Sequence, residues 1–228
     1  MAADRAERRP SGPDTTWSWT EVRGPVAGLV GATIPEPTTR LVRVVVPDDL
    51  AFVLGSTQPD PAGAVDRPAV RRRSGGGGVL VEPGRLLWVD LVVPRGDPWW
   101  DDDIGRAAHP VGRAWATAIG RLGLAPTVHT GVLRDSPWSR SLCFAGLGPG
   151  EVSVERRKVV GIAQRRTRAG ACFQCALPLE APGRRSVEAA GLTGADARDA
   201  TAHLERSAGA IDRPAPALVA ALRAALAA

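Results

Sequence analysis

The feature that most constrains this fold is a series of short apolar runs rich in β-branched residues, each bounded by proline, glycine or a charged residue. Runs of this kind are typical of β-strands. Several of these predicted strands are separated by too few residues for the helical crossovers that connect parallel strands. They therefore predict an α+β fold with a mixed, largely antiparallel sheet. The runs are LVRVVV, AFVLGS, AVRR, VLV and LLWVDLVV between Leu41 and Val93, then EVSVERR, KVVGIAQRR and ACFQCALPL between Glu151 and Leu179.

Helices are expected to flank this sheet. Residues 101–122 carry apolar side chains at helical spacing after an acidic cluster that suits a helix N-terminus, and Pro110 would kink or divide that helix. Alanine-rich segments at 194–207 and 214–227 predict two helices that close the chain. Residues 55–68 are rich in turn formers and predict a long exposed loop at the lip of the sheet.

Composition narrows the protein class. Residues 1–16 mix charges, proline and small polar groups and predict a mobile N-terminal tail, which leaves 17–228 as a single domain. The net charge is only +5 and acidic residues are interspersed with the arginines, so charge does not indicate a nucleic-acid partner. We expect no membrane span, because the sequence has no apolar run long enough to cross a bilayer. No signal-peptide h-region lies near its polar N-terminus, and the odd number of cysteines, three, leads us to expect a reduced, cytoplasmic protein.

Four successive glycines form the first candidate binding motif, Arg71-Arg72-Arg73-Ser74-Gly75-Gly76-Gly77-Gly78-Val79. Such a run lets the backbone approach a ligand and present its N–H groups to a phosphate or carboxylate. The flanking guanidinium groups could hold phosphate oxygens bidentately. A flexible linker with a basic flank is the alternative. The motif is neither a P-loop nor a dinucleotide fingerprint.

Lys158 is the only lysine in a chain that otherwise uses arginine at every basic position. It opens a strand in which Gly161 and Ala163 fall on one face and leave room for a ligand. An ammonium group suits the bridging of a carbonyl and a phosphate, although an isolated lysine is ordinarily a solvated surface residue. Simple alternation puts Lys158 on the opposite face. Either a β-bulge resets the register near Gly161, or the lysine reaches the ligand from the strand end.

The cysteines give one candidate nucleophile. Cys143 precedes the strand that carries Lys158 and lies in a loop rich in glycine and proline. Its thiol could be exposed there beside cations, although a buried, inert cysteine is equally compatible with the sequence. Cys172 and Cys175 have zinc-ligand spacing without a second pair, and in a strand they would point to opposite faces. We therefore predict no metal site. Ser136 lacks the surroundings of a nucleophile elbow, which argues against a serine hydrolase.

Read together, RRRSGGGGV and, about eighty residues later, RRKVVGIAQRR resemble the lipoate-protein ligase and octanoyltransferase family. The family pattern is R-R-x-S/T-G-G-G-A-V followed by K-x-x-G-x-A-Q. The resemblance extends from about Leu41 to Leu177 and includes Gly55-Ser56-Thr57-Gln58, similar to the family's G-x-x-Q loop. It implies a biotin/lipoate protein ligase-like (class II synthetase-like) catalytic domain over 17–228, without the C-terminal accessory domain that some family ligases carry.

The resemblance also implies a reaction. In that family the glycine loop and the lysine surround an acyl-adenylate, so Lys158 would contact the acyl carbonyl and the phosphate. An ATP- and Mg²⁺-dependent ligase would activate lipoate or octanoate and join it to a lysine of a lipoyl carrier domain or a glycine-cleavage-type carrier protein. The implied binding residues are Arg71, Arg72, Ser74, Gly75, Gly76, Gly77, Gly78, Val79, Gly161 and Ala163.

Two departures from the family pattern keep other readings open. Val81 and Glu82 stand where family ligases commonly have histidine and aspartate. Cys143 falls where the family's cysteine-dependent octanoyltransferases have C-F, and those enzymes carry the acyl group on the thiol without ATP or another cofactor. The alternatives are therefore an octanoyl-acyl carrier protein:protein octanoyltransferase that uses Cys143, and a non-catalytic acyl- or nucleotide-binding homologue.

Overall fold

The computed structural model describes residues 16–32, 39–61 and 68–228. The predicted tail, apart from Thr16, and residues 62–67 of the predicted loop lie outside these ranges. The strands are β1 (Trp17–Gly24), β2 (Arg40–Pro47), β3 (Ala51–Leu54), β4 (Ala69–Arg71), β5 (Val79–Val81), β6 (Leu86–Pro94), β7 (Pro126–Val128), β8 (Val152–Val154), β9 (Arg157–Arg166) and β10 (Gly170–Pro178). The helices are α1 (Val26–Gly31), α2 (Ile104–Ala107), α3 (His109–Arg121), α4 (Arg184–Ala189), α5 (Gly194–Ser207) and α6 (Ala215–Leu226).

Two sheets form in the described part of the chain. The larger has seven strands in the order β1-β2-β6-β10-β9-β8-β7, and the smaller has three in the order β4-β3-β5. Only the β1–β2 and β3–β4 pairings are parallel among these strands. The mixed, largely antiparallel sheet predicted from the closely spaced runs is therefore confirmed.

The large sheet is covered on both faces. Along β6, Leu87, Val89 and Leu91 point to a core shared with α3 and α6 that includes the fully buried Trp115. The intervening side chain of Trp88 points to the opposite face, where α1 and the small sheet pack against it. Because successive strand residues face opposite sides, the near-continuous apolar run of β6 serves two cores at once.

The helical segment expected at residues 101–122 is divided rather than kinked. Asp103 caps α2 by accepting a hydrogen bond from the Gly105 amide, and α3 begins after Ala108 with Pro110 in its first turn. A proline is tolerated there because the first turn of a helix has no internal acceptor for its N–H groups. The two predicted C-terminal helices correspond to α5 and α6. Four elements were not predicted from the sequence, because they are short or lie beside glycine and proline: β1, α1, β7 and α4.

A buried ion pair fixes the start of β2. Arg40 donates to both carboxylate oxygens of Asp97, at 2.8 and 3.0 Å. Its guanidinium carbon lies 5.4 Å from the ring centre of Trp17 and 5.3 Å from that of Trp99. The two indoles meet edge to face at 5.1 Å. Aromatic rings therefore enclose this charge pair. No helix among the described residues has the length and apolarity needed to cross a membrane.

Candidate functional site

A β-bulge sets the direction of the Lys158 side chain. Ser153 of β8 pairs with Lys158, whereas Val152 pairs with Val160, so β9 carries one extra residue between the two pairs. The bulge returns Lys158 to the face of Gly161. A Cβ atom placed on Gly161 would lie 3.3 Å from the Lys158 Cε. The sequence had left two possibilities open, a β-bulge or a lysine that reaches the ligand from the strand end, and the structure has the β-bulge.

The ammonium group of Lys158 is buried and fully engaged. Its side chain is 4% exposed, and Nζ lies 2.7 Å from the Glu151 Oε2. It donates to the carbonyl oxygens of Cys143 at 2.7 Å and Gly146 at 3.2 Å. Burial by itself would lower the pKa of Lys158, but the interactions of the ammonium group with Cys143 and Glu151 outweigh burial and raise the pKa above its ordinary value. The lysine therefore stays protonated at neutral pH.

Glu151 also belongs to this site, although no pattern in the sequence predicted it. Its carboxylate accepts hydrogen bonds from the amides of Gly148 at 2.6 Å and Ile162 at 3.0 Å, in addition to the ion pair with Lys158. These contacts tie the loop before β8 to the middle of β9. A single glutamate before a strand is not recognisable as a site residue from the sequence. Its partner, Lys158, points toward it only because of the β-bulge in β9.

Cys143 lies directly beside this ion pair. It begins a 3₁₀ turn, is half-buried, and its Sγ is 3.6 Å from the Lys158 Nζ. Helix α5 supports the turn, since Ser207 donates to the Phe144 carbonyl at 3.1 Å and His203 Nε2 lies 2.8 Å from the Ala145 carbonyl oxygen. The structure thus brings together Lys158 and Cys143, the two predicted catalytic residues, and places the ammonium group beside the sulfur.

The glycine run lies against the cysteine turn. The Cys143 amide donates to the Gly78 carbonyl at 2.9 Å. A Cβ on Gly77 would lie 2.4 Å from the Ser139 carbonyl oxygen and 2.9 Å from the Cys143 nitrogen, too close for any side chain. Gly75, by contrast, has open space around it. Part of the run is therefore required for close packing of two backbone segments, and part faces outward.

The predicted phosphate-binding arginines hold loops in this structure. Arg72 donates to the carbonyls of Val53 at 3.2 Å, Gly75 at 2.6 Å and Gly77 at 2.9 Å. Arg71 donates to the Gly55 and Gln58 carbonyls and pairs with Asp60. Ser74 is buried and donates to the Gln174 side chain at 2.5 Å. These three residues shape the glycine loop, and their contact with a phosphate stays a prediction.

An apolar pocket opens beside the cysteine. It lies between the large sheet and the small sheet, and Val79, Gly161 and Ala163 from the predicted set line it. Its other walls include Val30, Val53, Val81, Leu86, Trp88 and Ala176. The small side chains of β9 and β10 leave the space that the larger side chains of the small sheet enclose. The pocket suits a hydrocarbon chain.

A polar groove meets this pocket at Cys143, Arg72 and Ala163, which line both. Gly75, Gly76 and Gly77 form one side of the groove, and Glu151 and Lys158 lie on its floor. Thr57, Gln58, Asp135 and Arg140 also line it. Cys143 therefore stands where an apolar cavity and an open polar groove join.

The other two thiols differ from Cys143. Cys172 and Cys175 are fully buried in β10, and burial raises the pKa of both. Such thiols stay protonated and unreactive. Among the residues that the structure describes, no group of three or more histidine, cysteine or acidic side chains could hold a metal ion.

Comparison with known proteins agrees with this architecture. Residues 35–207 match the model of the lipoyl protein ligase A/B catalytic domain. Among curated proteins, none matches the sequence. Solved structures with the same fold include an archaeal bi-partite lipoate protein ligase from Thermoplasma acidophilum, with a TM-score of 0.66, 15% identity, and coverage of 92% of this chain and 81% of that one.

Two further structures share the fold. Lipoate-protein ligase A bound with ATP has a TM-score of 0.62 at 17% identity, over 90% of this chain and 81% of that one. P. falciparum LipL1 in complex with lipoate has a TM-score of 0.58 at 8% identity, over 92% of this chain and 61% of that one. The family match spans most of the present sequence and includes both the glycine run and Lys158. The chain belongs to the lipoyl protein ligase A/B catalytic domain family.

Proposed function

We propose that this chain transfers a medium-chain acyl group, octanoyl or lipoyl, to a lysine of a lipoyl carrier domain or a glycine-cleavage-type carrier protein, with Cys143 carrying the acyl group. The observation that supports this most strongly is the position of the thiol. It lies at the junction of an apolar pocket and an open groove, 3.6 Å from the buried ammonium group of Lys158.

The apolar pocket supplies the binding energy for the acyl chain. Burial of about seven methylene groups at about 0.8 kcal/mol each contributes roughly 5–6 kcal/mol. The polar atoms at the pocket wall are largely engaged within the protein, since the Arg72 guanidinium binds three carbonyls and the Trp88 Nε1 donates to Asp90 at 2.7 Å. The chain would therefore lie in the pocket while its carbonyl carbon stays at the mouth beside the sulfur.

The reaction then has two steps. The Cys143 thiolate attacks the carbonyl carbon of an acyl thioester, such as that of an acyl carrier protein, and a new carbon–sulfur bond forms. The bond between that carbon and the donor sulfur breaks, and the donor leaves as a thiolate that takes a proton from solvent. The carrier lysine, as a free amine, attacks the thioester on Cys143, an amide bond forms, and the Cys143 sulfur leaves as thiolate while the amine loses its proton to solvent. Lys158 would hold a positive charge beside the sulfur in both steps.

The surroundings of Lys158 favour this route over direct activation by ATP. All three N–H donors of the ammonium group have partners, in Glu151, Cys143 and Gly146. Contact with an acyl phosphate would require it to lose at least one of them. The Glu151 carboxylate, 2.7 Å from Nζ, would also repel a phosphate in the groove. The same charges do not oppose a neutral thioester.

An ATP-dependent lipoate-protein ligase, with Mg²⁺ as its companion ion, is the second candidate. The glycine side of the groove supports it, because Gly75 has open space around it and Gly76 adopts a positive φ of 95°. Consecutive amides in such a loop form an anion-binding concavity. Lipoate-protein ligase A, which has this fold, is seen with ATP bound. In this reading free octanoate or lipoate would be the substrate and pyrophosphate a product.

One assay separates the two candidates. Acyl transfer to a lipoyl carrier domain would be measured with octanoyl-acyl carrier protein in the absence of ATP, and in parallel with free octanoate or lipoate plus ATP and Mg²⁺. We expect transfer from the thioester without ATP, and its loss in Cys143→Ala. Transfer only from the free acid, with pyrophosphate release that is undiminished in Cys143→Ala, would establish the ligase instead. Binding without transfer in either arm would indicate a non-catalytic homologue.

A further inference from the structure

The floor of the apolar pocket is a single row of residues that crosses the strands at right angles. Gly161 of β9 pairs with Ala176 of β10, Ala176 pairs with Trp88 of β6, and Trp88 pairs with Val45 of β2. Register partners on adjacent strands point to the same face of a sheet. The first two residues of the row have almost no side chain, so together they form a trough that begins beneath Cys143.

The indole of Trp88 stands at the far end of this trough. Gly161, Ala176 and Trp88 all line the pocket, whereas Val45, the next residue of the row, is buried and does not. The trough therefore ends at the indole. We propose that Trp88 sets the maximum length of the acyl chain that this site accepts, an assignment that rests on the proposed function for the identity of the ligand.

The length of the trough can be compared with that of an acyl chain. Two strand spacings of about 4.8 Å separate Gly161 from Trp88, which gives roughly 10 Å. An extended hydrocarbon with bonds of about 1.5 Å advances about 1.3 Å per bond, so an eight-carbon chain spans about 9 Å. Cys143 Sγ lies over the start of the row, 3.2 Å from a Cβ placed on Gly161. The trough thus fits a linear chain of about eight carbons.

The indole is held in place and cannot readily turn aside. Its Nε1 donates to the Asp90 Oδ1 at 2.7 Å, and Asp90 is fully buried. The other carboxylate oxygen of Asp90 lies 3.2 Å from the buried Arg43 guanidinium. Rotation of Trp88 would leave a buried carboxylate oxygen without its donor. A longer chain therefore meets a rigid wall rather than a side chain that yields.

Two substitutions should change the maximum chain length in opposite directions. Trp88→Ala removes the indole and should extend the accepted chain by roughly two to four carbons. Ala176→Leu fills the trough before the indole and should shorten it. Leu87→Ala is the matched control, because Leu87 belongs to the same strand but points into the core on the opposite face of the sheet. It should lower stability without altering the preferred length.

The experiment measures the binding of linear saturated fatty acids of about six to fourteen carbons to the full chain by calorimetry, and in parallel the acylation of Cys143 by the matching N-acetylcysteamine thioesters. We expect affinity to rise about fourfold per added methylene up to about eight carbons and then to stop rising. The limit should move to longer chains in Trp88→Ala, to shorter ones in Ala176→Leu, and stay in place in Leu87→Ala.

Unchanged limits in folded Trp88→Ala and Ala176→Leu proteins would overturn the assignment, even if acyl transfer proceeds. Should Trp88→Ala not fold, the shortened limit in Ala176→Leu supports the assignment, and an unshifted limit there contradicts it. Limits that move while no variant, nor the natural protein, acylates Cys143 would uphold the assignment to Trp88 and contradict the proposed transfer through the thiol.

Discussion

Two buried ion pairs in this protein, Lys158–Glu151 and Arg40–Asp97, have similar geometry and different surroundings. Both have a shortest nitrogen–oxygen distance of 2.7–2.8 Å and side chains that are at most 8% exposed. The Arg40–Asp97 pair is enclosed by Trp17 and Trp99. The Lys158–Glu151 pair borders an open groove and lies beside the half-buried Cys143 thiol. Two ion pairs of similar geometry are thus enclosed by aromatic rings in one place and lie beside an open groove and a thiol in the other.

The difference shows how a buried charge can be assigned a role. A buried pair by itself contributes little net stability, because desolvation offsets the attraction, whereas the loss of one partner is costly. The informative observation is therefore what else the pair contacts. Arg40 and Asp97 contact aromatic rings and backbone, while Lys158 contacts two carbonyls of the cysteine turn. We expect the first pair to control stability and the second to control activity.

The largest effect is expected at the Lys158–Glu151 pair. Lys158→Met should reduce kcat/KM for acyl transfer by about 10³-fold, or about 4 kcal/mol, because no positive charge then faces the sulfur. It also leaves Glu151 unpaired and should lower stability. The double variant Lys158→Met, Glu151→Gln removes that carboxylate and should recover much of the stability but none of the activity. Recovery of activity in the double variant would show that Lys158 acts only through folding.

The structural pair should behave in the opposite way. Arg40→Ala leaves Asp97 buried without its partner and should reduce the free energy of unfolding by about 3–5 kcal/mol, measured by urea denaturation. Activity per folded molecule should be unchanged. Arg223→Ala, which removes an exposed guanidinium stacked on Trp19, is the control and should cost at most about 1 kcal/mol. A loss of turnover at full folding in Arg40→Ala would contradict the comparison.

A third buried ion pair, Arg43–Asp90, should make the stability of the protein depend on pH. Burial raises the pKa of Asp90 from 3.8 to about 6, although Arg43 and the Trp88 hydrogen bond oppose the shift. The folded protein therefore binds more protons than the unfolded chain between these two values. The titration of Asp90 therefore lowers the free energy of unfolding by at most about 3 kcal/mol as the pH rises from 3.8 to about 6. Asp90→Asn should lack this decrease, and identical pH slopes in the two proteins would show that Asp90 titrates normally.

The smallest effect is expected from Glu151→Gln alone. The amide keeps the size of the side chain but removes the negative charge and one of the acceptors for the Gly148 and Ile162 amides. Lys158 then loses its ion pair and keeps its contacts with the Cys143 and Gly146 carbonyls and with the Cys143 sulfur. We expect kcat/KM for transfer to fall about tenfold, about 1.4 kcal/mol, with little change in acyl-chain binding. A fall in chain binding with unchanged turnover would place Glu151 in the acyl pocket rather than behind the lysine.

Much of the fold could be predicted from local patterns. The strands from Leu41 to Val93 and from Glu151 to Leu179 follow from β-branched runs, and α5 and α6 follow from composition. Strand β1 was missed because its alternation of tryptophan and polar residues at the edge of the sheet is weak. The parallel pairing of β1 with β2 and the ion pair between Arg40 and Asp97 join residues that are distant in the sequence, and no local pattern predicts them.

The site was predicted in part. Lys158, Cys143, Gly161 and Ala163 lie together as expected, because the motif spacing reflects the fold. Phosphate binding by Arg72 stays a prediction, and the three carbonyls that its guanidinium binds could not be read from the sequence. Glu151 and Trp88 could not be found, because the first depends on a bulge and the second on strand register. Tertiary pairing determines both.

The measurement that most directly tests the account is the mass of the intact protein after a short exposure to an octanoyl thioester without ATP, followed by acid quenching. We predict that the natural protein gains the mass of one octanoyl group, that proteolysis locates it on Cys143 rather than Cys172 or Cys175, and that a lipoyl carrier domain removes it. A natural protein that gains no mass, yet transfers octanoate to the carrier domain when ATP is supplied, would contradict the central role of Cys143.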